Sequence, residues 1–134
     1  MLFDFENAPV QPITQVFYLS DYLRWRGMLI RYAPLSLPAI WREIDGLFST
    51  KAIDRQPVIT MSWVPGADWT NTPYAPIYGA INQRFAQDIA SEYSAKFLGL
   101  LFMDVAINRA EKWGCGHYEL AGKPIKGRTY FLLQ

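Results

Sequence analysis

Residues 75–112, APIYGAINQRFAQDIASEYSAKFLGLLFMDVAINRAEK, decide how this chain is read, because they hold its longest helical pattern and its most apolar run. Ile77, Ile81, Phe85 and Ile89 recur every four residues and form a ridge suited to helix packing. From Phe97 to Ile107 the stretch is apolar nearly all round, the mark of a helix buried on every side. An unbroken helix over this length would measure about 57 Å at about 1.5 Å per residue, while a globule of this chain length spans only about 36 Å. The pattern therefore predicts a break or kink between Asp88 and Ser94. Asp104 interrupts the apolar run and Lys96 precedes it, and the run falls short of the roughly 18 apolar residues of a membrane span. A buried core helix is expected, with no membrane partner.

Upstream, Thr72 and Pro73 read as the cap and first turn of that helical region, with Pro65 and Gly66 stopping whatever precedes it. Pro57 opens VITMSWV, in which Ile59, Met61 and Trp63 alternate with Thr60 and Ser62, a half-buried strand. Ser36 followed by Pro38 starts a helix over 37–49, whose apolar positions Ile40, Trp41, Ile44, Leu47 and Phe48 share one face while Arg42, Glu43 and Asp45 face water. Between Ser20 and Ala33 the sequence supports a short helix over 21–26 broken by Gly27, then a strand over 28–33; one continuous helix is the second choice. Residues 13–19, ITQVFYL, alternate as a strand. Beyond Trp113, HYEL and RTYFLL read as two strands joined by AGKPIKG, a C-terminal hairpin. Both faces of the last strand carry apolar groups, which places it inside a sheet.

These elements define an α+β chain: a small, mainly antiparallel sheet with two or three helices packed on one face. With 134 residues and no repeat, low-complexity tract or linker, residues 1–134 form one domain. A hydrophobic fraction of 51% against 19% charged excludes disorder and collagen-like fibres. The formal net charge of +1 gives no broad field for gripping phosphate backbones. Cys115 is the only cysteine, so no intrachain disulfide and no multi-cysteine metal site can form, and a reducing cytoplasm is the simplest home. The first ten residues carry Asp4 and Glu6 without Lys or Arg, unlike a secretory signal, so they are read as part of a mature soluble chain. No cofactor and no metal are expected.

What stands out is a 16% aromatic share, five Trp, eight Tyr and eight Phe, more rings than a small core easily hides. Periodicity assigns Trp41, Phe48, Trp63, Phe85, Phe97, Phe102 and Phe131 to the interior. Five more, Tyr22, Trp25, Tyr32, Trp69 and Tyr74, lie in two polar neighbourhoods and are the rings left available for binding. In the first, Tyr22, Arg24, Trp25, Arg26, Arg31 and Tyr32 interleave cations with rings, as protein hot spots and single-stranded nucleic-acid grooves do. The plainer reading makes the rings core and lets the arginines snorkel over them. In the second, Asp68, Trp69, Asn71, Thr72 and Tyr74 fall where a strand ends and a helix begins, so free N–H groups and two rings could meet a ligand. The plainer reading is a capped turn, and the spacing matches no nucleotide-binding loop.

Two further groups carry weaker chemistry. Cys115, His117 and Glu119 share one face of an extended strand, but alternate residues stand about 6.6 Å apart, too far for a nucleophile and its base. Three ligands in a row on one strand do not close a tetrahedral metal site either. Asp104, if it points inward, needs a partner such as Arg84 or Arg109, since an unpaired buried carboxylate is costly.

The composition favours a small non-enzymatic interaction or assembly module that docks on a protein partner, or on itself, through an aromatic and arginine surface. A virus- or mobile-element-encoded accessory protein fits the same description. The alternative is a nucleic-acid-binding or nucleic-acid-mimicking accessory protein, with Lys123, Lys126 and Arg128 of the hairpin adding to the first cluster. A small hydrolase or transferase using Asp68, Asp104 or His117 comes third, because no acid, base and nucleophile set is evident. On this reading Trp25→Ala or Trp69→Ala would weaken binding and spare stability.

Overall fold

The helical run over 75–112 divides at residues 83–86, upstream of the expected break, in the computed structural model of the chain, which describes residues 2–6, 19–59, 69–120, 123–124 and 129–133. In chain order the elements are β1 (Leu2–Glu6), α1 (Leu19–Tyr32), α2 (Ser36–Asp54), β2 (Val58–Ile59), α3 (Ala75–Asn82), α4 (Gln87–Ile107), β3 (Trp113–Leu120), β4 (Lys123–Pro124) and β5 (Thr129–Leu132). The architecture is α+β, with four helices among the described residues where two or three were expected.

At the break, Arg84 and Phe85 donate their backbone N–H groups back to Ile81, which closes α3. Ala86 is extended at φ −62° and ψ 158° before α4 begins. The segment over 88–94, where the break was expected, is helical. No glycine or proline marks 83–86, so the sequence carried no local signal of the turn. The ridge Ile77–Ile81–Phe85–Ile89 is correspondingly cut: Ile77 and Ile81 are buried, whereas Ile89 is exposed. In α4 nearly every residue from Phe97 to Ala106 is buried, as the apolar run requires.

Gly27 does not break α1, which continues through the segment expected as a strand over 28–33; the second-choice reading, one continuous helix, is the observed one. Helix propensity falls by only about 1 kcal/mol for a glycine, and burying Tyr22, Trp25, Met28 and Leu29 along one face outweighs it. Helix α2 starts at Ser36 as expected and buries Leu37, Ile40, Ile44 and Phe48, but extends to Asp54, where Arg55 closes it in the left-handed conformation at φ 54°. Arg42 and Glu43 face solvent; Asp45 is half-buried.

The sheet runs in the order β1-β3-β5-β2, with β4 paired to β3 off this path. All pairings are antiparallel, and β5 is interior, as its two apolar faces foretold. The first strand of the hairpin starts earlier than the expected HYEL. Strand β3 begins at Trp113, and the ladder to β5 uses Trp113–Gly116 (Trp113 opposite Leu132, Gly116 opposite Thr129), so the glycine-flanked cysteine lies within the sheet. Gly114 faces Phe131, whose ring comes within 2.7 Å of where a Cβ would stand, so any larger residue would push the ring aside.

Strand β1 was not anticipated; it pairs with β3, Phe5 opposite Gly116 and Glu6 opposite Cys115. Val58 and Ile59 are what the described residues show of the strand expected over 58–64; Thr60–Val64 lie outside them, as do Ile13–Tyr18 of the strand expected over 13–19, while Leu19 belongs to α1.

The core joins helices to sheet through rings. Phe48 of α2 meets Trp113 at 4.9 Å, Tyr130 at 5.6 Å and Phe102 of α4 at 6.1 Å between centroids. Offset and edge-on ring pairs at these separations contribute beyond their buried area.

Candidate functional site

Helix α1 sorts the first aromatic and arginine cluster into two populations. Tyr22 and Trp25 are buried core residues, which corrects the expectation that they form a binding surface. Trp25 packs 5.2 Å from Tyr93 and 6.4 Å from Phe97, and Tyr22 stands 5.6 Å from Phe97. Continuing the helix through Gly27 turns positions 22, 25, 28 and 29 to one side, and the apolar α4 lies there. Tyr32 alone of the five reserved rings is exposed, and it leans on α3, its hydroxyl 2.8 Å from where a Cβ on Gly79 would stand.

The arginines divide similarly. Arg24 pairs with Asp21 at 3.2 Å and lies 6.0 Å over Phe85. Arg26 spans 3.8 Å to Asp104 and covers the Tyr22 ring at 5.6 Å. The guanidinium of Arg31 folds back over Gly27. Among the described residues, no carboxylate is paired with it.

Asp104 is the centre of a polar knot between α1 and α4. The Tyr22 hydroxyl donates to Asp104 Oδ2 at 2.5 Å, and Asn108 Nδ2 donates to Asp104 Oδ1 at 3.1 Å and to its backbone carbonyl at 2.7 Å. Arg26 supplies the counter-charge from the half-exposed side. The partners are therefore Tyr22, Arg26 and Asn108, and not Arg84 or Arg109 as expected. Arg84 is exposed in the turn after α3. Arg109 instead donates to the Asp45 carboxylate at 2.7 Å, to the Asp45 carbonyl at 3.0 Å, and to Glu111.

Burial, reinforced by the hydrogen bond to Asp104 and by its charge, pushes the Tyr22 hydroxyl far above the ordinary tyrosine range, with Arg26 opposing. The phenol is thus held as a donor, and the knot clamps two helices. Burial alone would raise the Glu111 carboxyl, but hydrogen bonds from Arg109, its own backbone and Trp113 Nε1 outweigh it and hold the group low. Two buried polar atoms, Trp25 Nε1 and Ser94 Oγ, lack a hydrogen-bond partner among the described residues.

The second cluster forms a turn. Thr72 Oγ1 donates to the Trp69 carbonyl at 2.6 Å and accepts from the Tyr74 N–H at 3.2 Å. Asn71 takes the left-handed conformation at φ 62°. Helix α3 starts at Ala75 with Pro76 in its first turn, two residues later than Thr72 and Pro73 suggested. Tyr74 is buried and Trp69 packs partly buried against the core, so neither stands free as a stacking platform, a second correction. Burial, then the charge of Glu43, pushes the Tyr74 hydroxyl up to about 12. Asp68 lies outside the described residues.

Cys115 is buried on β3 opposite Tyr130, and His117 follows on the same strand opposite Asp4 of β1. Among the described residues no group of three or more His, Cys, Asp and Glu is placed to hold a metal ion. No described helix is long and apolar enough to cross a membrane. Lys123 lies in β4; Lys126 and Arg128 fall outside the described residues.

The surface features that sequence reasoning missed are aliphatic. Leu23 (54% exposed) and Ile30 (44%) stand on the outer face of α1, and Ile53 (83%) on that of α2, with Leu35 (84%) at the residue just before it. A seven-residue spacing links the first pair once α1 is read as continuous. The second pair lies beyond the bounds read for α2, 37–49, and so escaped its helical wheel. Compared with known proteins, the chain matches no family model, no curated protein and no solved structure.

Proposed function

We propose that the chain is a small interaction module, without catalytic chemistry of its own, that docks a protein partner through the outer face of α1. The supporting observation is the exposed pair Leu23 and Ile30 on a helix whose opposite face is anchored by Tyr22, Trp25, Met28 and Leu29. An anchored helix with two aliphatic side chains aligned on its outer face suits docking in a groove or against another helix. Arg31, paired with no carboxylate among the described residues, borders this stripe, so the complementary partner is apolar with an acidic edge. Of the aromatic and arginine surface expected from the sequence, the arginine is kept in this proposal and the rings are replaced by aliphatic groups. The lone cysteine suits a reducing, cytoplasmic setting. The nucleic-acid alternative is less favoured, because Arg24 and Arg26 already face carboxylates.

Native affinity capture followed by reconstitution of the purified pair tests the reading. Leu23→Glu/Ile30→Glu should weaken a reconstituted complex at least 30-fold while leaving the melting temperature unchanged. A complex that survives the double variant, or one that is a nucleic acid lost at 0.5 M salt, overturns it.

A further inference from the structure

The outer face of α2 carries a seam that maps onto itself. Leu35, Ala39, Arg42, Gly46, Ser49 and Ile53 follow alternating steps of four and three residues, the spacing by which one helix tracks another. Leu35, just before the helix, already has helical backbone angles, φ −87° and ψ −7°, so it continues the wheel. Its two ends are the most exposed large apolar side chains of the described residues, Leu35 at 84% and Ile53 at 83%. They lie about five turns apart on the same side. Ala39, Arg42 and Gly46 between them are exposed, and a Cβ on Gly46 would meet nothing within 4 Å.

We infer that this face binds a second copy of the chain, α2 against α2, antiparallel about a two-fold axis at the level of Ile44. That operation places Leu35 against Ile53 of the second copy, Ala39 against Ser49 and Arg42 against Gly46, so every seam position meets a seam position. The large Arg42 falls where the other copy has no side chain, and the small residues allow a short interaxial distance. Arg42 also comes about one turn from the exposed Glu43 of the second copy, and the symmetry makes that charge pair twice. Parallel pairing would set Leu35 on Leu35 but also Arg42 on Arg42. A single helix pair is small beside standard interfaces of about 1,600 Å², so the dimer is reversible and weak. This face is separate from that of α1 and does not rest on the partner-docking reading.

Sedimentation equilibrium of the full chain from 1 µM to 1 mM tests it. The expected result is a reversible monomer–dimer equilibrium whose dissociation constant rises at least tenfold in Gly46→Gln and in Leu35→Glu/Ile53→Glu. Melting temperature should be unchanged or higher in Gly46→Gln, since the monomer has room there. Arg42→Glu should weaken the dimer, and Arg42→Glu/Glu43→Arg should restore it. Leu23→Glu/Ile30→Glu should leave it untouched. A monomer at every concentration, a dimer indifferent to Gly46→Gln, a charge swap without rescue, or a dimer lost in the α1 variant overturns the inference.

Discussion

Helices α2 and α4 are of similar length and serve opposite purposes. From Phe97 to Ala106, α4 is buried on nearly all sides, whereas α2 buries the stripe Leu37, Ile40, Ile44 and Phe48 and turns its opposite face to water. A helical stretch enclosed all round serves to hold the molecule together. One seated on a single stripe keeps a face available for recognition at little risk to the core. Helix α1 follows the α2 pattern, so the outer faces of α1 and α2 are both available for recognition.

The sharpest way to break this contrast is truncation within α4. Phe97→Ala should cost about 3–5 kcal/mol in denaturant unfolding, as core Phe-to-Ala changes do; a loss below about 1 kcal/mol would mean that the enclosure of α4 is not what stabilises the chain. Next, Asp104→Ala strands the buried Tyr22 hydroxyl and should cost about 1–3 kcal/mol. Asp104→Asn keeps an acceptor oxygen and should cost less, which separates the hydrogen bond from the charge.

Alkaline pH probes the same interior. Tyr22 and Tyr74 have folded-state values raised above the usual tyrosine value, Tyr74 to about 12. Their contribution is fully present below the unfolded value of about 10 and is lost as pH rises through the folded values. Absorbance at 295 nm should show Tyr22 and Tyr74 ionising only with unfolding, above pH 10. The smallest effect belongs to α2: Gly46→Ala should stabilise the monomer by about 0.5–1 kcal/mol in chemical denaturation, because the position is open and helical.

Periodicity made the start of α2, the buried run of α4 and the interior place of β5 legible. What stayed hidden was decided by contacts distant in sequence. Gly27 looked like a breaker until α4 supplied a surface for Tyr22 and Trp25 to cover. The break at 83–86 has no punctuating residue, so the length argument foretold a break and misplaced it. Trp25 and Tyr74 stood among polar neighbours and read as surface, yet a ring between two arginines is buried whenever its side of the helix meets a core. Asp104 announced its need for a partner, but Tyr22 and Arg26 lie some eighty positions earlier in the chain.

The sheet order has a kinetic consequence. Helices α3 and α4 are joined by a short turn and can meet within the microseconds typical of local helix pairs. Val58 must find Tyr130, and Phe5 must find Gly116, only after most of the chain has been gathered. Pairing of β2 with β5 and of β1 with β3 is therefore expected to follow the local contacts of α3 with α4 and of β3 with β5.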